Sequence, residues 1–146
     1  MRNNILFATL VLIAAGTLIS AGAQAQITVT LHASLTAFHT MPPATSARAG
    51  GTADFQLDRT THEIKWRVTY SGLSSAPTAV HIHAVAGPGV RSDIVLDLAT
   101  NGLGNPLVGS ATLDDMQIAD LVSGKDYVDI HTKLNQEGEI RGAIGQ

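Results

Sequence analysis

Beyond residue 26 the chain alternates apolar and polar positions repeatedly. Ile27, Val29, Leu31 and Ala33 alternate with Thr28, Thr30, His32 and Ser34. Ala53, Phe55 and Leu57 alternate with Thr52, Asp54, Gln56 and Asp58, and Ile64, Trp66, Val68 and Tyr70 with Lys65, Arg67 and Thr69. Val80, Ile82 and Ala84 then flank His81 and His83, and shorter runs follow at Ile94, Leu96 and Leu98, at Val128 and Ile130, and at Ile140 and Ile144. A period of two predicts strands with one face on a core. Gly50-Gly51, Ser71-Gly72, Gly87-Pro88-Gly89, Asn101-Gly102 and Glu137-Gly138 read as the turns between them. One stretch breaks the rhythm: Met116, Ile118, Leu121 and Val122 stand at helical spacing within residues 112–124. Thr112 with Asp115 resembles a capping box and Gly124 stands where a C-terminal cap would. The pattern predicts an all-β fold of seven or eight antiparallel strands with one short helix, a sandwich or small barrel.

The first 25 residues fall outside this pattern. Arg2 precedes a nearly unbroken apolar run from Ile5 to Ile19, and Ala21-Gly22-Ala23 and Ala23-Gln24-Ala25 both offer small-x-small cleavage points. This is the form of a secretory signal peptide. The run is shorter than the ~20 residues of a membrane span and has no positive flank after it. Residues 1–25 are therefore expected to be removed, leaving 26–146 as one exported domain, periplasmic or secreted, with no membrane span.

Composition narrows the chemistry. Of 146 residues 45% are hydrophobic and 14% charged, which excludes a disordered chain or a coiled coil. A net charge of −3 without a basic cluster argues against nucleic acid as a partner. The absence of cysteine removes disulfides, thiolate metal sites, iron–sulfur clusters and cysteine nucleophiles together.

Several segments resemble the chordin-type (CHRD) domain family in order and spacing. They are Pro42-Pro43, Gly51-Thr52-Ala53-Asp54-Phe55, Ala79-Val80-His81-Ile82-His83, the short helix, Tyr127-Val128-Asp129-Ile130-His131-Thr132 and Gly138-Glu139-Ile140-Arg141-Gly142. The resemblance implies an exported, immunoglobulin-like all-β domain. For animals it implies a place in secreted growth-factor antagonists, and for bacteria a standalone exported protein of unestablished role. The chain departs from the family at Phe38-His39-Thr40-Met41, where an acidic residue often precedes Pro-Pro. It departs again at Ala84-Val85, where Gly-Pro is usual, and at Asp129, where asparagine is common.

The candidate chemistry lies in the histidines. His81 and His83 share one face of a strand, and their apolar neighbours claim the core face. Val128 and Ile130 likewise turn Tyr127, Asp129 and His131 outward. If the two strands are neighbours, three imidazoles meet on the outer surface. Imidazole suits copper and zinc, and three nitrogens leave an open coordination position. Copper is favoured over zinc. His39 and Met41 are possible additional ligands, since a thioether favours Cu(I), although Met41 as an apolar plug and His39 as a solvated residue is the simpler account. Asp129 and Arg141 are candidates for supporting roles behind the ligands. Asp129 would hold an imidazole in its tautomer, or pair with Arg141 or Lys133 at the surface. Glu139 and Arg141 are expected to form cross-strand salt bridges.

The histidine pattern also resembles the copper half of copper–zinc superoxide dismutase, a Greek-key barrel with a His-x-His pair on one strand, a further histidine on a later one and a C-terminal arginine like Arg141. No histidine falls between His83 and His131, so the bridging residue and the zinc loop have no counterpart. Three functions follow as expectations: an exported metal-binding protein, a structural or protein-interaction module of the cell envelope without metal, and, as the minor alternative, a superoxide dismutase-like enzyme. Binding rather than turnover is the expected role. No serine elbow, phosphate loop, dinucleotide fingerprint or calcium loop is present, and aromatic residues are too scarce for a carbohydrate-stacking platform.

Overall fold

The computed structural model describes residues 27–37, 48–85 and 92–146. The period-two segments become strands: β1 (Thr28–Thr36), β2 (Gly50–Asp58), β3 (Glu63–Ser71), β4 (Pro77–Ala84), β5 (Ile94–Asp97), β6 (Leu107–Thr112), β7 (Asp126–Thr132) and β8 (Ile140–Ala143). A single helix, α1 (Asp115–Val122), joins β6 to β7. All eight strands hydrogen-bond in one sheet of order β5-β4-β7-β8-β1-β2-β3-β6, and every pairing is antiparallel. β4 beside β7, β8 beside β1 and β3 beside β6 are the non-sequential neighbours, as in a Greek key. Of the two expected architectures the curled, half-barrel form is the one adopted. The sheet wraps around one core, and no second sheet faces it among the described residues.

Alternation fills that core. Leu31, Ala33 and Leu35 of β1, Ala53, Phe55 and Leu57 of β2, Ile64, Trp66 and Val68 of β3, Val80 and Ile82 of β4, and Val128 and Ile130 of β7 are all nearly inaccessible. Ile118 and Leu121 of α1 pack into the same cluster. The Trp66 indole N–H donates to the Leu98 carbonyl at 3.2 Å, linking β3 to the segment after β5. Its ring lies where a side chain on Gly109 of β6 would stand, so that edge position requires glycine.

Two local expectations change. Gly50-Gly51 is the start of β2 rather than a turn. The capping box of α1 is Asp114 with Gln117, not Thr112 with Asp115: Gln117 N–H donates to Asp114 Oδ1 at 2.9 Å, and Asp114 N–H donates to Gln117 Oε1 at 2.9 Å. Gly124 ends the helix as expected: it follows the C-cap Ser123 with a φ of 72° and donates its N–H to the Leu121 carbonyl at 3.2 Å. β6 has no sequence signal because only Leu107 is buried along it, as fits an edge strand. No helix among the described residues is long and apolar enough to cross a membrane. The expected signal peptide at 1–25 lies outside the described residues.

Candidate metal centre

β4 and β7 are neighbours, and their register does the assembling. Ala79 faces His131, His81 faces Asp129 and His83 faces Tyr127. Because Val80, Ile82, Val128 and Ile130 fill the core, parity sends His81, His83, Asp129 and His131 to the outer side of the sheet. One ligand atom from each of the four lies within 4.8 Å of all the others.

The site faces outward yet is not bare. His83 is 8% exposed and Asp129 4%. The Tyr127 ring stacks on His83 with centroids 5.3 Å apart and planes 15° from parallel, and the Arg141 guanidinium lies 4.1 Å above the Tyr127 ring. Arg141 thus reaches the cluster through Tyr127. It does not pair with Asp129, its cross-strand neighbour, and neither does Lys133. Gly138, with φ of 108°, brings the chain close against Asp129: a Cβ there would stand 3.5 Å from Asp129 Oδ2. The cluster opens onto a surface depression shared with Thr78, Ser92, Asp93, Lys133 and Gln136.

Hydrogen bonding separates this arrangement from a polar network. Asp129 Oδ1 lies 3.0 Å from His131 Nε2 and 3.3 Å from His83 Nε2. At those separations the carboxylate is a close ion-pair partner of both imidazoles. Asp129 Oδ1, His131 Nε2, both ring nitrogens of His83 and His81 Nδ1 are buried without a hydrogen-bond partner. The imidazoles are tilted rather than stacked, at 84° between His81 and His83, 58° between His81 and His131 and 57° between His83 and His131. Buried polar atoms are ordinarily satisfied, so a group of five orphans in one place signals a missing partner. Tetrahedral bonds of about 2.0–2.1 Å put adjacent ligand atoms about 3.3 Å apart, close to the separations around Asp129 Oδ1. The donor set of three imidazoles and one carboxylate is one that zinc and Cu(II) accept.

His131 is further prepared. Its Nδ1–H donates to the Gln136 carbonyl at 2.8 Å, which leaves the Nε2 lone pair directed at the cluster. The Asp129 carboxylate beside it outweighs burial and raises its pKa. Burial pushes the His81 imidazole below its ordinary value, and the neighbouring His131 adds to that. Burial alone would raise the Asp129 carboxyl, but the His131 and His83 imidazoles overcome it and hold the group below the usual carboxylate value.

His81, His83 and His131 therefore meet as the alternation implies, and Asp129 joins them with its own oxygen among the ligand atoms. Nothing in the sequence distinguished that position from a supporting one; shared parity with His131 was the available signal. His39 and Met41 lie outside the described residues. His32 and His62 lie elsewhere: His32 Nδ1 contacts Asp54 Oδ1 at 2.8 Å, and His62 stands 3.7 Å from Asp115 in the turn before β3. Glu139 is a correction. It is fully buried rather than placed on the surface. Its carboxylate accepts hydrogen bonds from Ser74 N–H at 2.6 Å, Ser74 Oγ at 2.8 Å and Thr132 Oγ1 at 2.7 Å, tying the loop after β3 to β7.

A family model described as the CHRD domain matches residues 20–144, nearly the whole chain. No curated protein and no solved structure matches it. The chain belongs to the CHRD-domain family.

Proposed function

We propose that this CHRD-domain protein is an exported metal-binding protein that holds one divalent transition-metal ion, copper in preference to zinc, through His81, His83, His131 and Asp129. The observation that carries the reading is the set of converging ligand atoms that do not hydrogen-bond to one another. A scaffold network would satisfy those atoms internally, whereas a metal ion satisfies all of them at once. Copper leads because imidazole sites bind Cu(II) more tightly than Zn(II), and the carboxylate oxygen weighs against Cu(I). The stacked Tyr127 and the Gln136 carbonyl hold the His83 and His131 rings in place. Export rests on Arg2, the apolar run and the small-residue cleavage points.

The test is calorimetric titration of tag-free mature protein with Cu(II) and Zn(II), with electron paramagnetic resonance of the copper form. One equivalent of Cu(II) with nitrogen hyperfine coupling is expected, and the His81→Ala/His83→Ala double variant should lose both. Absence of specific binding by Cu(II), Cu(I) and Zn(II) would overturn the reading and make the cluster part of a structural or protein-interaction module.

A further inference from the structure

At the N-terminal end of β7 stands a second group that the histidine cluster does not use. Asp126 shares the parity of Val128 and Ile130, so its side chain lies on the core side of the sheet, opposite in facing to His131 and Asp129. It is inaccessible to solvent, and neither carboxylate oxygen has a hydrogen-bond partner. A carboxylate stripped of water in this way is costly unless something positive or hydrogen-donating meets it.

Asp126 lines a cavity of about 210 Å³ between the end of the sheet and α1. Two kinds of wall meet there. Ala84, Ile94, Val95 and Met116 are apolar, and Met116 and Ile94 are 73% and 56% exposed at its rim. Asp114, Asp120 and Gln117 supply the rest of the polar wall. Their charges are largely committed: Asp114 caps α1, and Asp120 Oδ1 accepts from Lys125 Nζ at 2.7 Å. Among the described residues, Asp126 is the carboxylate of this wall whose oxygens have no hydrogen-bond partner. Hard metal cations want several converging oxygens. Among the described residues the histidine cluster is the one group whose ligand atoms converge in that way.

We propose that this cavity is a second ligand site, separate from the metal centre, which takes a primary alkylammonium group. The ammonium pairs with Asp126 and the alkyl chain lies against Met116, Ile94 and Val95. An ammonium offers three donors to two orphan oxygens, and a short aliphatic stem matches the apolar wall. A free aliphatic amine and a lysine side chain share this chemistry.

The site has a built-in pH dependence. Burial, with Asp120 adding to it and Lys125 opposing it, pushes the Asp126 carboxyl up to about 6. Among the described residues, the charged or titratable groups that face it are Asp114 and Asp120 on the helix side and Lys125 in the turn before β7. β4 and β5 present Ala84, Ile94 and Val95, and Asp93 lines the other depression instead. Cation binding requires the ionised carboxylate, so affinity should fall about tenfold from pH 8 to pH 5.

The experiment is titration of the full mature chain with n-butylammonium chloride, followed by the side-chain carboxyl ¹³C resonances, at pH 8 and pH 5. Parallel titrations use n-butanol, acetylated lysine amide, lysine amide and calcium chloride. Saturable shifts of the Asp126 carboxyl are expected with butylammonium and lysine amide at pH 8, about tenfold weaker at pH 5, and absent with butanol and the acetylated lysine. Asp126→Asn, which keeps the shape of the side chain, is followed by the backbone amides of Ile94, Val95 and Met116 beside those of the native chain; it should abolish their amine-induced shifts while leaving amide resonances far from the cavity unchanged. If butylammonium response is absent at tens of millimolar, the cavity holds water only and the proposal fails. It fails equally if calcium binds and the amines do not, or if Asp126→Asn binds amine as the native chain does. A comparison between Cu(II)-loaded and metal-free protein keeps the two sites distinct, since amine binding is expected in both.

Discussion

Opposite His32 on β1 lies Asp54 on β2, and opposite His81 on β4 lies Asp129 on β7. Both are cross-strand His–Asp pairs on the outer side of one sheet, yet their surroundings give them different roles. His32 and Asp54 are about half exposed and share a direct 2.8 Å hydrogen bond, and Ser34 Oγ meets the other ring nitrogen at 3.2 Å. Nearby Thr52 and Thr69 pair at 3.0 Å. That face satisfies itself. On the β4–β7 face Asp129 is almost wholly buried, two further imidazoles crowd it, and the ligand atoms converge without bonding to each other. Residue type and register are alike, so burial and the number of converging donors distinguish a surface ion pair from a candidate metal centre.

The largest effect should come from removing a ligand. Structural zinc sites gain about 10–16 kcal/mol over four ligands, so a single ligand is worth roughly 3–4 kcal/mol, or 10²–10³-fold in affinity. His131→Ala is expected to weaken Cu(II) binding by that factor in a calorimetric titration, and His32→Ala to leave it unchanged. Equal losses in the two variants would erase the contrast between the faces.

Next comes the buried carboxylate that does hydrogen-bond. Glu139→Ala strands the Ser74 N–H and the Ser74 and Thr132 hydroxyls beneath the surface. A cost of about 2–3 kcal/mol is expected in urea denaturation. The exposed counterpart Asp54→Ala should cost less than about 0.5 kcal/mol.

Asp126 should respond in the opposite direction. Its folded pKa of about 6 stands above the ordinary value of 3.8, so the folded chain holds this proton more tightly than the unfolded chain. Stability therefore falls as pH rises from 3.8 to about 6, and the penalty persists above that. Asp126→Asn removes it. The variant should be more stable by up to about 3 kcal/mol at pH 8 and close to the native chain at pH 4, as read by thermal melts at the two pH values. The smallest effect belongs to His32→Ala, whose stability change should stay within about 0.5 kcal/mol.

The alternation of apolar residues made most of the fold legible, because one buried face per strand leaves a period-two trace. It failed where burial is thin. β6 buries only Leu107, and Gly50-Gly51 carries the mark of a turn while lying in the β2 ladder against Tyr70 and Ser71. The three histidines were legible for the same reason as the core, since the parity that buries Val80 and Ile82 turns His81 and His83 outward. What parity could not supply was depth. The burial of Asp129 and Glu139 depends on what lies above the sheet, and for Glu139 that is the loop at Ser74, 65 residues away. Asp126 was visible in principle, as a carboxylate in phase with Val128 and Ile130, but only the fold reveals that nothing meets it.

The central claim concerns one point in space, so the most direct measurement is anomalous diffraction from crystals of Cu(II)-loaded protein at the copper edge. A single strong peak bonded at about 2.0–2.2 Å to nitrogens of His81, His83 and His131 and to an Asp129 oxygen is the expected result. Fully loaded crystals with the copper elsewhere, or with the four side chains hydrogen-bonded to one another and no peak among them, would contradict it.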